Sequence, residues 1–410
     1  MPNPEVQSEP NLWSSAQFQA YLASTAFTGG AFSMQQLLIS WMLVGILVLP
    51  GDQVGLIQAI IGIPALFLML LGGASADRAD PRLMLIRIYA VAWVIPLLLV
   101  TLMEFDLFNV WTVMLFGLGV STVTAYTSPA QQAVLSRVAG NDIQRAVTVS
   151  TAIGFLVQIV GLMIAGQMER VGLTAVLVSQ SVCIALGAVT IACLQKAEVS
   201  IMPNLEPTWR TVVAGLHATY ANKNIFELLI VNFVSSIFNA GAFITVVPFI
   251  MKRAYDGDAL QLAIIMIVFY FGATLSGLVM LRFMPILRPG RIFLIMQLSR
   301  VVILGFLWIK PDWWLLILVM IAWGLNMGLT TTLARAIVQE SAAPEFRARI
   351  LSVYSIGLLG SAPIGALILG MIIEGFGTLN ALIPAMFVSV ALFLYGVLAT
   401  GIWSYRSPQA

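Results

Sequence analysis

Apolar residues in this chain do not alternate with polar ones; they run on. Twelve stretches, covering roughly residues 17–48, 53–76, 82–104, 109–138, 142–169, 172–195, 224–251, 258–281, 290–309, 313–339, 345–374 and 378–403, are dominated by Leu, Ile, Val, Phe, Ala and Met. A helix needs about 20 such residues to cross the hydrocarbon of a bilayer, and more when tilted. Inside hydrocarbon the backbone finds no water to bond to, so each stretch is predicted to be helical throughout. The fourth, fifth, tenth and eleventh exceed the minimum and are expected to tilt or to project past the membrane.

The one long polar interruption is 195–224. It carries Pro203 and Pro207, then a segment in which Trp209, Val212, Val213, Leu216 and Tyr220 recur at helical spacing. That pattern predicts an amphipathic helix lying on a membrane face. The only histidine, His217, sits there and reads as a solvated linker residue. Six apolar stretches lie on either side, and the two sets repeat. The offset that takes Arg145 onto Arg349 also takes Thr148 onto Ser352, Gly161 onto Gly365 and Gly166 onto Gly370; Ala130 and Val134 fall on Ala334 and Val338. The expected organisation is a disordered tail at 1–16, a six-helix bundle at 17–195, a linker at 196–223 and a second six-helix bundle at 224–404.

Composition removes the soluble alternatives. Of 410 residues, 60% are hydrophobic and 9% charged, where a soluble chain carries about a quarter charged. Lipid is therefore the expected solvent. The net charge of +2 is scattered over short loops and gives no footing for nucleic acid. Its distribution predicts topology. If the N-terminus lies inside, the inner loops and ends hold Arg78, Arg82, Arg87, Arg137, Arg145, Arg335, Arg347 and Arg349 among others, and the outer loops only Arg170, Lys252, Arg253 and Lys310. Cytoplasmic loops carry the basic excess, so both termini are expected in the cytoplasm. Trp111, Trp313 and Trp314 fall at predicted outer interfaces, as an aromatic belt requires. Cys183 and Cys193 share one predicted helix, about 15 Å apart at helical rise. That is too far for a disulfide, and both read as apolar fillers. The polar first residues read as a tail and not as a cleavable signal peptide.

The charge is densest at 72–85, GGASADRADPRLML. Gly72 and Gly73 let a helix end approach a neighbour. Asp80 followed by Pro81 reads as a helix start, the carboxylate capping free N–H groups and proline fitting the first position. This turn, with Gly73, Asp77, Arg78, Asp80, Pro81 and Arg82, resembles the loop signature Gly-x-x-x-Asp-Arg-x-Gly-Arg-Lys of the major facilitator superfamily. Asp80 stands where the common form has Gly, and Pro81 where it has Arg. The Asp form is similar to the enterobactin and macrolide exporter branch, which handles siderophores, macrolides and lysophospholipids. The stretch 347–377, RARILSVYSIGLLGSAPIGALILGMIIEGFG, resembles the eleventh helix of that branch. In it Gly357, Gly360, Gly365 and Gly370 mark one face, and Pro363 removes a backbone hydrogen bond.

The resemblance implies an all-α membrane protein of twelve transmembrane helices, arranged as two six-helix pseudo-repeats around a midplane substrate site. It also implies a cytoplasmic latch: Asp77 against the start of the eleventh helix near Pro344 and Glu345, and against Arg137 or Arg145. Replacing Asp77 by Asn is then expected to cut transport and leave membrane insertion intact. The fifth helix departs from the pattern. Antiporting relatives have a Gly-Pro pair there; this chain has Leu156 and Val157 and keeps Gly154, Gly161 and Gly166.

Charges deep in a span are costly and point to function. Arg300, midway along the ninth stretch, is the deepest. It is expected to pair with a polar neighbour, to snorkel or to meet an anionic substrate. Glu227, one turn inside the seventh, and Glu340, ending the tenth, are candidates for proton coupling, together with Arg300, Asp77 and the substrate itself. The helices expected to line the cavity carry neutral polar groups: Gln35, Gln36, Tyr126, Gln158, Asn232, Asn239, Tyr270 and Asn326. Such groups suit a bulky amphipathic solute better than an inorganic ion or a sugar phosphate. Each can equally serve an interhelical hydrogen bond worth about 0.6 kcal/mol. Gly161, Gly166, Gly360, Pro363, Gly365 and Gly370 are expected to pack closely or to hinge. No span holds a histidine, and there is neither a Gly-x-Ser-x-Gly turn nor a cysteine pair at metal spacing. No enzyme activity, metal or cofactor is therefore expected. The reading is a proton-driven secondary exporter, an antiporter of a small-to-medium amphipathic molecule, monomeric and in a bacterial inner membrane. A lysophospholipid flippase, an uncoupled facilitator and a non-transporting membrane sensor or scaffold stay open.

Overall fold

The computed structural model describes residues 15–78, 80–139, 142–196, 208–283, 286–343 and 346–407. Among them no strand occurs, and 12 helices are long and apolar enough to cross a membrane. The first six spans are Ala16–Ile46, Gly51–Met69, Pro81–Glu104, Val110–Ala139, Arg145–Gly166 and Leu173–Ala192. The last six are Lys223–Ala254, Ala259–Met280, Pro289–Trp308, Trp313–Ser341, Arg349–Phe376 and Asn380–Leu398. The helix of the second span continues to Arg78. Between the halves lies a further helix, Thr208–Ala221. The tail expected at 1–16 falls mostly outside the described residues, as does the linker from 197 to 207.

Local chemistry sets the ends. Ser15 accepts from the Phe18 N–H, Asp80 from the Arg82 N–H at 3.0 Å with Pro81 in the first turn, and Asn222 from the Ile225 N–H. These caps satisfy donors that a helix start leaves orphaned. The fifth helix stops at Gly166, short of the apolar run predicted to 169. A separate turn, Met168–Val171, follows, and the chain reverses at Gly172 with φ 90°, a conformation glycine alone adopts freely. The seventh span runs longer than its apolar run because two widened π-helical turns, Ala242–Val246 and Ile250–Ala254, carry it onward. A similar turn, Met42–Ile46, closes the first span.

The core is single at one end of the molecule and double at the other. One cluster joins both halves: Trp41, Leu43, Val54 and Phe116 from the first, Phe249, Leu262, Trp323 and Ile373 from the second. At the end carrying Asp80, two separate clusters occur. One draws only on the first half (Phe18, Leu85, Tyr89, Val134), the other only on the second (Ile225, Phe293, Leu333, Ile350). Among the described residues the halves thus share one buried core at the end holding the turn around Val48, here called the closed end, and keep separate buried cores at the other, the open end. The fifth span shows the same gradient: beyond Ala146 no described residue is buried until Gly161.

Glycines make the fusion. A Cβ on Gly166 would lie 2.7 Å from Ala263 Cβ of the eighth span, and one on Gly370 would lie 2.9 Å from Gly55 Cα of the second. Inside each half, Gly161 packs on Gly30 and Ser33, and Gly365 packs on Ile237 and Gly241. These pairings obey the offset read in the sequence: fifth on eighth answers eleventh on second, and Ser33 answers Ile237. Small residues let helix backbones meet where lipid supplies no hydrophobic drive. The Thr208–Ala221 helix rests by Gly215 on Arg349 and Val353 of the eleventh span. Its Leu216 and Tyr220 remain exposed, as does His217.

Candidate functional site

Two cavities lie at mid-depth between the halves and share Gln36 and Ile244. The larger, about 430 Å³, is walled by the first, second, fourth and eleventh spans, with Gln35, Gln58, Met69, Ser128 and Pro363 among its lining. The smaller, about 180 Å³, is walled mostly by the seventh to tenth spans, with Asn232, Ser236, Asn239, Phe243, Phe269, Tyr270, Arg300 and Thr330. Both lie just below the fused core.

Of the residues singled out in the sequence, Gln36, Asn232, Asn239, Tyr270 and Arg300 line the smaller cavity, and Gln35 and Gln36 the larger. Tyr270 donates to Gln36 Oε1 at 2.9 Å, and Gln158 of the fifth span is its other partner. That contact joins the halves across the cavity roof. Asn239 accepts from the Trp323 indole N–H at 2.5 Å. Trp323, Phe243, Phe269 and Tyr270 form one aromatic block, with Phe243 stacked on Phe269 at 4.0 Å and the others edge-on. Tyr126 lines neither cavity. Asn326 lines neither as well; its amide is spent on Met296 O, Ser299 Oγ and Arg300.

Arg300 does not snorkel. It is 3% exposed and turns into the bundle. Its Nη1 donates to Ser235 Oγ and to Gln297 Oε1 at 3.0 Å, and its Nη2 to Asn326 Oδ1 at 3.1 Å. The ninth span therefore reaches the cavity through one long side chain passing between the seventh and tenth.

Glu227 and Glu340 lie away from the cavities. Glu227 accepts from the Gly401 N–H at 2.9 Å and sits 3.8 Å from Lys223. Glu340 accepts from the Tyr405 and Ser407 hydroxyls. Both carboxylates tie helix ends to the final segment of the chain.

At the open end, the side chains of Asp77 and Arg78 and the surroundings of Gly73 lie outside what is described, as do Pro344 and Glu345. Asp80 and Arg82, which follow in the chain, belong to a clamp within the first half. Asp80 pairs with Arg137 at 3.4 Å, Arg137 also donates to Gln195 O at 2.6 Å, and Arg82 donates to Ala192 O at 2.6 Å. Arg145 is exposed. Among the described residues Arg137 thus has Asp80 as an ion-pair partner, the residue that departs from the common signature.

The closed end holds groups that the sequence pattern did not single out. Glu374 of the eleventh span accepts from the Gly51 N–H at 3.0 Å, at the start of the second, and lies 3.6 Å from Arg253. The Trp41 indole donates to Glu169 at 2.7 Å, and the Lys252 ammonium sits 5.4 Å from the Trp41 ring. Thr245 donates to Gln58 Oε1 at 2.6 Å. The contacts of Glu374 with Gly51, of Lys252 with Trp41 and of Thr245 with Gln58 cross between halves, while Glu169 braces Trp41 from within the first. Glu374 and Glu169 look in sequence like ordinary charges at helix ends, and only their apposition gives them a role. Just past the seventh span, the Tyr255 hydroxyl donates to Pro311 O at 2.5 Å. Burial, helped by the nearby Asp312 carboxylate, pushes that phenol up to about 12. Among the described residues no group of three or more His, Cys, Asp or Glu is placed to hold a metal ion.

Against known proteins, the family model described as transmembrane secretion effector matches residues 14–404. No curated protein matches the chain in sequence. Solved structures of similar fold include the nucleoside transporter NupG, with TM-score 0.77, 17% identity, and coverage of 95% of this chain and 99% of that one. A bacterial homologue of the human lysosomal transporter Spinster, solved inward-facing, gives TM-score 0.72 at 14% identity over 97% of each chain. A proton-dependent oligopeptide transporter gives 0.70 at 12% identity, over 95% and 98%. At such identities the likeness carries the fold and not the substrate.

Proposed function

The chain belongs to the transmembrane secretion effector family and is an integral membrane transporter of the major facilitator type, and from that premise we propose that it exports a small-to-medium amphipathic organic molecule by alternating access. The observation that carries this reading is the core: one at the closed end, two at the open end, with the cavities where it divides. A solute enters from the open end and meets a lining of amides, hydroxyls, aromatic rings and methionine. Rocking about the cavity level would exchange the glycine seams of one end for contacts at the other. The Lys and Arg bias makes the open end the cytoplasmic one, and the family description supports outward movement. The siderophore-, macrolide- and lysophospholipid-handling branch remains the proposed source of substrates.

Coupling is proposed to be to protons, as antiport. With Glu227 and Glu340 engaged at helix ends, the remaining carboxylates for that task are Asp77 and the acids of the closed-end contacts, Glu169 and Glu374. Proteoliposomes loaded with labelled siderophores, dyes or lysolipids test the reading. Export should occur, and should quicken when a pH gradient is imposed. Export unaffected by the gradient would sink the proton part, and no movement of any panel member would sink the exporter.

A further inference from the structure

A buried guanidinium ordinarily has a carboxylate beside it, because an unpaired charge out of water is among the costliest features a fold can carry. Among the described residues the ion pairs are Arg137 with Asp80, Lys223 with Glu227 and Arg253 with Glu374. Arg300 is in none of them. Its oxygen partners, on Ser235, Gln297 and Asn326, are all neutral, and its buried Nε has no partner. Those acceptors hold the fork in place without cancelling its charge, and Arg300 lines the smaller cavity. Gln297 Nε2, also buried, is a second unspent donor beside it.

We propose that this cavity is an anion pocket, in which Arg300 takes the carboxylate or a similar oxyanion of a solute whose flat apolar body lies against Phe243, Phe269 and Tyr270. The inference rests on the transport reading and narrows its substrate class. The volume of about 180 Å³ suits a charged head group with one ring, and the larger cavity that shares Gln36 and Ile244 adjoins it for the rest of a bulkier solute. The aromatic faces supply the apolar wall, and a fixed guanidinium supplies the planar donor that oxyanions fit.

The test uses the full chain purified in detergent, where binding needs no transport. Thermal stability is followed against rising benzoate, phenylphosphonate and neutral benzamide. Both anions should raise the melting temperature saturably and benzamide should not. Arg300→Gln should weaken the anions by about tenfold or more, and Arg300→Lys should fall between. Because Arg300→Gln can simply misfold, Asn232→Asp is the second variant. Asn232 lines the same cavity one helical turn from Ser235. Its carboxylate should satisfy Arg300, raise the melting temperature of the unliganded protein and abolish the anion response. Equal shifts from benzamide and the anions, no shift from either anion, or an anion response surviving in Asn232→Asp would overturn the proposal. Transport failing in vesicles while this response holds would count against the exporter alone.

Discussion

Glu374 is the sharpest handle on the closed end. Its carboxylate belongs to the second half, as does Arg253, while the Gly51 N–H belongs to the first, so any opening of that end breaks the contact with Gly51. Two terms matter. A hydrogen bond to a charged group contributes about 1.5–3 kcal/mol, and an anion at a helix N-terminus about 0.3–1 kcal/mol. These overlap in one contact, and the side chain is 47% exposed, so solvent screening brings the sum to about 1–2 kcal/mol. Glu374→Ala should therefore raise the population opened at this end by about 5–30-fold. Glu374→Gln keeps an acceptor for Gly51 and loses the charge, which for partly exposed groups is worth about 0.2–1 kcal/mol, and should raise it less. The assay places one reporter cysteine at Val54, fully buried in the shared core, with Cys183 and Cys193 replaced by serine. The maleimide labelling rate then follows the opened fraction. An unchanged rate in Glu374→Ala, or a larger rise in Glu374→Gln than in Glu374→Ala, would refute the reasoning.

Other consequences can be checked as directly. Gly370→Leu drives a side chain into Gly55, 2.9 Å from where its Cβ would stand; overpacking of about 1–3 kcal/mol should disfavour closure, expose the Val54 reporter and slow transport. Gly375→Ala, with nothing within 4 Å of the added Cβ, should do none of these. Val48 is a β-branched residue at φ 48°, a conformation that costs about 1–3 kcal/mol, so Val48→Gly should raise the melting temperature. For Tyr255, the folded state holds the phenolic proton more tightly than the unfolded. Its contribution is complete below pH 10 and is lost as pH climbs toward about 12. Thermal melts should show a smaller alkaline loss in Tyr255→Phe than in the wild type, and at neutral pH the variant forfeits the bond to Pro311, about 0.5–1.5 kcal/mol.

The fold was legible because hydrocarbon leaves a backbone no alternative to helix, so apolar length alone marks each span. The ends that moved, at Gly166 and Ala254, are set by a glycine turn and by π-helical turns, neither of which apolar length encodes. The cavity was legible only in part. Gln36, Asn232, Asn239 and Tyr270 stand out as polar groups in apolar helices, yet Asn326 stood out equally and serves Arg300 from behind. Ser235 and Ser236 were passed over because serine is common in such helices and composition does not say which face it occupies. Arg300 carried a visible charge, but its direction depends on the gap between two other spans. Glu374, Gln58 and Thr245 needed the partner half in place before their meaning could be seen.

The division of the core bears on how the polypeptide can be cut. Each half owns a complete apolar nucleus at the open end, and the helix Thr208–Ala221 rides on the second half through Gly215. Covalent continuity between the halves raises their effective concentration for one another. A gene severed there would encode two fragments able to find one another in the bilayer, with the glycine seams as the recognition code.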